Sequence, residues 1–283
     1  MLRESPRILC LATLRAAPLA QLVGAAARAG FAGVTLRRHH VEQARAAGLG
    51  DEAIRELLRQ LPLGAVTLEA LTRWPADVAH DRAAAAQARA LFECAVALGT
   101  RETCAVLVDG TPWPREELVR AFRSLCRMAA DHGLRVALEF VPWSVIDSLD
   151  AAIDVVQHAG HDNGGLLLDS WHWARAGTRD EELGRLDPAR VVMLQLSDAP
   201  ARPAADLWQE TLHARLLPGA GVIDLHGLIA KLERHGVNCP VAAEVFSDRL
   251  AALDPALAAR ELAVGLDALF SPKPAREPDA PSP

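Results

Sequence analysis

Four oxygen-bearing side chains close short apolar runs in the second half of the chain: Glu139 in RVALEFVPW, Asp169 in GLLLDSWHW, Gln195 in VVMLQLSDA and Glu244 in PVAAEVFSD. Each run reads as a buried strand, with its polar residue toward the C-terminal end. Three carboxylates brought together in an apolar interior are costly to desolvate unless a positive charge compensates them. One divalent cation resolves that conflict, and the glutamine amide adds a fourth oxygen. A donor set made only of oxygen favours Mn²⁺ or Mg²⁺ over zinc.

Other residues near these ends can act on a substrate. His172 follows Asp169 by three positions and is suited to moving a proton or holding a hydroxyl. Tryptophans stand just beyond the strand ends, Trp143 and Trp171 among them with Trp74, Trp113, Trp173 and Trp208, and indole faces suit the C–H surface of a sugar. A basic cluster after the second apolar run, Arg37, Arg38, His39 and His40, suits a carboxylate or phosphate group.

Such positions imply strands that deliver their ends to one place. Eight runs of strand character occur, over 7–12, 31–38, 64–71, 103–109, 135–141, 165–169, 191–197 and 240–246. Segments of helical period lie between them, over 19–29, 51–61, 81–98, 114–132, 149–159 and 224–235, and 255–270 follows the last run. Eight such units predict a single-domain (β/α)₈ TIM barrel over residues 1–270, with the active site at the C-terminal ends of the strands. A doubly wound open sheet is the alternative, but no G-x-G-x-x-G follows the first strand. Residues 271–283 carry five prolines and read as a disordered tail.

Composition narrows the chemistry. The chain has 283 residues with a net charge of −6, and no basic block marks a nucleic-acid surface. No apolar run is long enough to span a membrane. Lys231 and Lys273 are the only lysines and tyrosine is absent, which argues against a Schiff base, a P-loop lysine or a tyrosine acid. Five cysteines without a C-x-x-C pair fit buried thiols in a reducing cytoplasm. A homo-oligomer is left open.

The segments D-S-W-H (169–172), Q-L-S-D (195–198) and H-A-R-L-L-P-G-A-G (213–221) resemble the D-x-x-H, H-x-x-D and R-x-x-P-G-x-G motifs of the xylose-isomerase-like barrels. That group includes ketose 3-epimerases, inosose isomerases and dehydratases, 3-dehydroshikimate dehydratase and endonuclease IV. The resemblance implies that Glu139, Asp169, Gln195 and Glu244 hold one metal ion and that Glu139 and Glu244 exchange protons with the substrate carbon. It also implies that Arg215, with His213 beside it, contacts substrate. The implied reaction is isomerisation or epimerisation of a small keto-sugar or cyclic polyol through an enediolate. Glutamine in place of the family's strand-seven histidine occurs in the 3-dehydroshikimate dehydratase branch, which makes a metal-dependent dehydratase of that kind, or of the inosose dehydratase kind, the alternative. Endonuclease activity would need further metal-binding histidines on strands three and four, and those runs carry none.

Overall fold

The computed structural model describes residues 1–14, 17–74 and 82–271. Eight parallel strands close into a barrel in chain order: β1 Arg7–Cys10, β2 Gly33–Arg37, β3 Ala65–Leu71, β4 Glu102–Val106, β5 Arg135–Glu139, β6 Gly164–Asp169, β7 Val191–Leu196 and β8 Val241–Ala243. Closure is set by β1 against β8, with Ile8 opposite Ala242 and Leu9 opposite Ala243. The outer layer is α1 Leu19–Arg28, α2 Arg38–Ala46, α3 Asp51–Leu58, α4 Arg82–Leu98, α5 Arg115–Ala130 and α6 Leu149–Ala159, then α7 Ser170–Ala176, α8 Leu207–His213, α9 Leu225–Arg234, α10 Asp248–Ala251 and α11 Pro255–Phe270. The predicted (β/α)₈ architecture is therefore the one observed. Among the described residues no helix is long and apolar enough to cross a membrane. The Pro-rich segment predicted as a tail lies, after Ser271, outside the described residues.

Alternation along the strands explains both layers. Val136, Leu138, Leu166, Leu168, Leu194, Val241 and Ala243 face outward into one continuous core with the helices. Ile8, Cys104, Ala137, Leu167, Met193 and Ala242 form a separate cluster inside the barrel. Side chains two residues apart share a face. Cys10, Glu139, Asp169, Gln195 and Glu244 each stand two residues beyond a member of that inner cluster, so the backbone parity carries them to the barrel axis.

Local signals fix the helix ends. Ser148 caps α6 by accepting from the Ala151 amide, and Gly160 ends it in the left-handed region at φ 69°. Pro255 opens α11 behind the cap Asp254. Three expectations need correction. Arg38, predicted as the last residue of the second strand, is instead the first residue of α2. The helices α2, α7, α8 and α10 are additions to the predicted set. The eighth strand, predicted to reach Phe246, ends at Ala243, because the backbone beyond it turns to receive the Arg215 amide on the Phe246 carbonyl at 3.0 Å.

Candidate active site

At the C-terminal mouth of the barrel lies a cavity of about 340 Å³, within the usual range for small-molecule sites. Glu69, Glu139 and Glu244 face it, with Arg37, His172 and Arg215; Trp143, Trp208 and Phe246 give it apolar walls. Asp169 and Gln195 are buried and pair across β6 and β7 in register.

Asp169 is held on both oxygens. Its Oδ1 caps α7, accepting from the Trp171 and His172 amides at 2.7 and 2.9 Å, and its Oδ2 accepts from Arg215 Nη1 at 2.7 Å. Arg215 Nη1 also reaches Glu244 Oε2 at 3.3 Å. Thr211 Oγ1 accepts from Nε and Nη2 of the same guanidinium, and His172 Nε2 lies 3.3 Å from Nη2. The strap bearing Arg215 is zipped between two strand ends: Leu216 bridges to Asp198 beyond β7, and Ala214 to Ser247 beyond β8. Asp198 also accepts from the Gly221 amide at 2.9 Å. A Cβ on Gly221 would meet the Ala199 carbonyl at 2.3 Å, so this approach requires glycine.

The remaining carboxylates have weaker partners. Cys10 Sγ lies 3.2 Å from Glu244 Oε1, and Cys104 Sγ 3.6 Å from Glu139 Oε2. Gln195 Nε2 donates to Glu69 Oε1 and to Glu244 Oε1, each at 3.2 Å. Gln195 Oε1 is buried and has no hydrogen-bond partner among the described residues.

Burial, reinforced by Glu244 and Asp169, pushes the Glu139 carboxyl well above the usual range. Burial and then Glu244 push Glu69 up to about 8. Burial also raises Glu244, against the pull of Arg215. At Asp169 burial acts upward, but Arg215 with His172 outweighs it and the net shift is down. Burial holds His172 at about 3, so its approach to Glu139 Oε1 at 3.5 Å is not an ion pair. Its Nε2 accepts from Arg215, which leaves the proton on Nδ1, an atom without a partner.

The residues fit a cation. Four carboxylates, buried Glu69, Asp169 and Glu244 with half-buried Glu139, face two guanidiniums, Arg37 and Arg215, among the described residues. With all four ionised, two negative charges would be left over, the charge that one divalent ion supplies. Gln195 Oε1 adds a buried acceptor that the protein does not satisfy. The grouping differs from the one read in the sequence: Glu139 and Asp169 cluster with His172, while Glu244 clusters with Cys10 and Glu69. Gln195 links the second cluster through its amide nitrogen.

Of the residues expected to touch substrate, Arg37, Trp143 and Arg215 line the cavity, and Glu139, His172 and Glu244 line it as candidate proton carriers. Three others do not. His40 is buried, and its Nδ1 accepts from the Arg37 amide to cap α2. His213 points to solvent and contacts Asp248 at 2.8 Å. Trp171 is fully buried behind Trp143 and His172, with Nε1 donating to Glu210 at 3.1 Å. Trp74 is likewise buried, edge-on to Phe122 in the helix layer. Sequence reasoning missed Glu69, which lies inside its apolar run; its parity with the inward Thr67 is the signal that would have found it.

The profile of a family described as xylose isomerase-like TIM barrel matches residues 23–268. An inosose isomerase of Bacillus velezensis is 30% identical over 165 residues, which cover 56% of this chain and 58% of that protein. A 3-dehydroshikimate dehydratase of Pseudomonas aeruginosa is 33% identical over 127 residues, 44% of this chain and 20% of that protein. The chain thus spans less than two thirds of the length of these relatives. A solved structure described as IOLI protein with a binding zinc atom superposes with a TM-score of 0.85 at 22% identity, covering 94% of this chain and 98% of that one. A probable 3-dehydroshikimate dehydratase of Bacillus anthracis gives 0.74 at 17% identity, covering 94% and 99%. At these identities the structural likeness is one of fold.

Proposed function

The chain belongs to the xylose isomerase-like TIM barrel family, and from that premise we propose that it is a divalent-metal-dependent isomerase or epimerase of a small keto-sugar or cyclic polyol. The observation that carries this reading is the pair Glu139 and Glu244, two carboxylates lining one sugar-sized cavity. One carboxylate takes the proton from the carbon beside a carbonyl, and the other returns a proton on the second face or at the neighbouring carbon. His172, whose Nε2 lies 3.5 Å from Glu139 Oε1 on the same cavity, would move a proton between substrate oxygens. Trp143 and Trp208 exclude water from the C–H face.

Glu139, Asp169, Gln195 and Glu244 would hold the ion, and their oxygen donors favour Mn²⁺ or Mg²⁺. When bound, such an ion polarises the substrate carbonyl and stabilises the enediolate charge. The inosose isomerase relatives support a cyclic polyol as substrate. Five free, buried cysteines support the reducing cytoplasm as its compartment.

A dehydratase acting on a carboxylated ring, like the 3-dehydroshikimate enzymes among the relatives, is favoured by one observation. The Arg37 guanidinium lines the cavity and would offer its charge to a substrate carboxylate, and its Nε is buried without a partner among the described residues. The test is turnover of inosose and 3-dehydroshikimate by protein stripped with chelator and reloaded with Mn²⁺, Mg²⁺ or Zn²⁺. An isomerase keeps substrate mass, whereas a dehydratase lowers it by one water. Full activity after exhaustive chelation would overturn the metal-dependent reading.

A further inference from the structure

We propose that Glu69 is a positioning residue that fixes the side-chain amide of Gln195 with its oxygen, not its nitrogen, free for a divalent cation. The inference rests on the reading of Gln195 as a metal ligand. A glutamine amide is nearly symmetric in shape, yet only its oxygen can ligate; its NH₂ face carries two donors and repels a cation. A protein that places glutamine among metal-binding carboxylates must therefore specify which way the amide points. A histidine or carboxylate in the same place faces no such choice.

Here the two N–H groups meet two carboxylate oxygens, Glu69 Oε1 and Glu244 Oε1, both at 3.2 Å. With both carboxylates ionised, as a bound cation would hold them, the reversed amide would set its oxygen lone pairs against both of them in a buried site, and the low local dielectric magnifies that repulsion. In the observed orientation Oε1 is the one buried Gln195 atom without a partner among the described residues. The two grips are not equivalent. Glu244 Oε1 is shared with Cys10, and Oε2 with Arg215; as a proposed ligand, Glu244 must also rearrange when a cation enters. Glu69 has no part in the proposed ligand set, so its hold on the amide persists in the loaded state. Its strand secures it: Glu69 is buried on β3, paired in register with Arg37 of β2.

The test is Mn²⁺ binding to the full chain, read by the electron paramagnetic resonance signal of the free ion, in a double-mutant cycle. Glu69→Met removes the acceptor at similar length and should weaken Mn²⁺ binding about ten- to a hundredfold, the range for residues that orient a ligand. Glu69→Gln retains an acceptor oxygen and should recover most of that loss, and it serves as the reporter if the methionine variant folds poorly. In a Gln195→Glu background the two oxygens at position 195 are equivalent, orientation is moot, and Glu69→Met should leave Mn²⁺ binding unchanged or tighten it by relieving repulsion. Equal weakening in both backgrounds would overturn the proposal and show that Glu69 acts by charge or as a ligand. Undiminished binding in Glu69→Met alone would overturn it too. Gln195→Met reports on the premise separately: unchanged Mn²⁺ affinity there would show that Gln195 is no ligand, and the inference would fall with it.

Discussion

Arg215 Nη1 stands 2.7 Å from Asp169 Oδ2, and both side chains are buried at the floor of the cavity. The guanidinium therefore touches the carboxylates expected to hold a cation, Asp169 and Glu244, as well as facing the space for substrate.

Replacing Arg215 by Met leaves buried carboxylates uncompensated, a change that typically costs about 3–5 kcal/mol. The metal-free variant is expected to unfold at lower denaturant by about that amount. Saturating Mn²⁺ should restore much of the loss, because binding to the native state stabilises it by linkage. Denaturant melts with and without Mn²⁺ check this; a variant as stable as the parent without metal would show the pair to be unimportant to the fold.

Glu244→Gln keeps the size and one oxygen donor of the side chain while removing its charge and basic site. With metal saturating, kcat should fall by at least about 10²- to 10⁴-fold, the usual worth of a general base. Exchange of the substrate α-proton with solvent deuterium, followed by proton NMR, should cease with turnover. Persisting exchange without product would transfer the first proton abstraction to Glu139 or His172.

Arg37 and Arg215 flank Phe246, with guanidinium carbons 5.0 and 5.1 Å from the ring centroid. Of the two, Arg37 keeps an Nε without a partner among the described residues, whereas Arg215 Nε donates to Thr211. A lost hydrogen bond to a charged group is worth about 1.5–3 kcal/mol. Arg37→Met should thus raise KM at least about tenfold for a carboxylated substrate, while leaving a neutral polyol within about twofold. Steady-state kinetics on both substrates separate the outcomes, and equal effects on the two would show that Arg37 reads no anionic group.

Far from the mouth, Glu102 opens β4 opposite Arg135 of β5, with 3.6 Å between Oε1 and Nη1. Burial outweighs Arg135 and raises Glu102 to about 7, and Oε2 has no partner among the described residues. In the unfolded chain this side chain ionises near its ordinary value, about 4.3. The fold thus keeps a proton that the unfolded chain has lost, and stability falls as pH rises from there to about 7. Glu102→Gln should gain on the parent by about 1–3 kcal/mol between pH 5 and pH 8. A difference between the two proteins that does not change with pH would show that Arg135 keeps Glu102 ionised in the fold.

The sequence by itself determined the barrel and the inward set Glu139, Asp169, Gln195 and Glu244. Strand alternation is a local property: a polar residue two positions beyond an inward apolar one stays on that face wherever the strand goes. Glu69 obeys the same parity, but Ala70 and Leu71 follow it, so it lacks the strand-end signal that marked the others. Only the tertiary structure decided which neighbours share a hydrogen bond. Glu69 and Gln195 are 126 residues apart and Arg215 and Asp169 are 46 apart, and closure of the barrel with the docking of the Arg215 strap brings each pair together. Packing likewise decided that His40 caps a helix, that His213 faces water and that Trp171 lies behind the wall of the cavity. A residue's type leaves open whether it will be buried, because burial depends on what the rest of the chain lays over it.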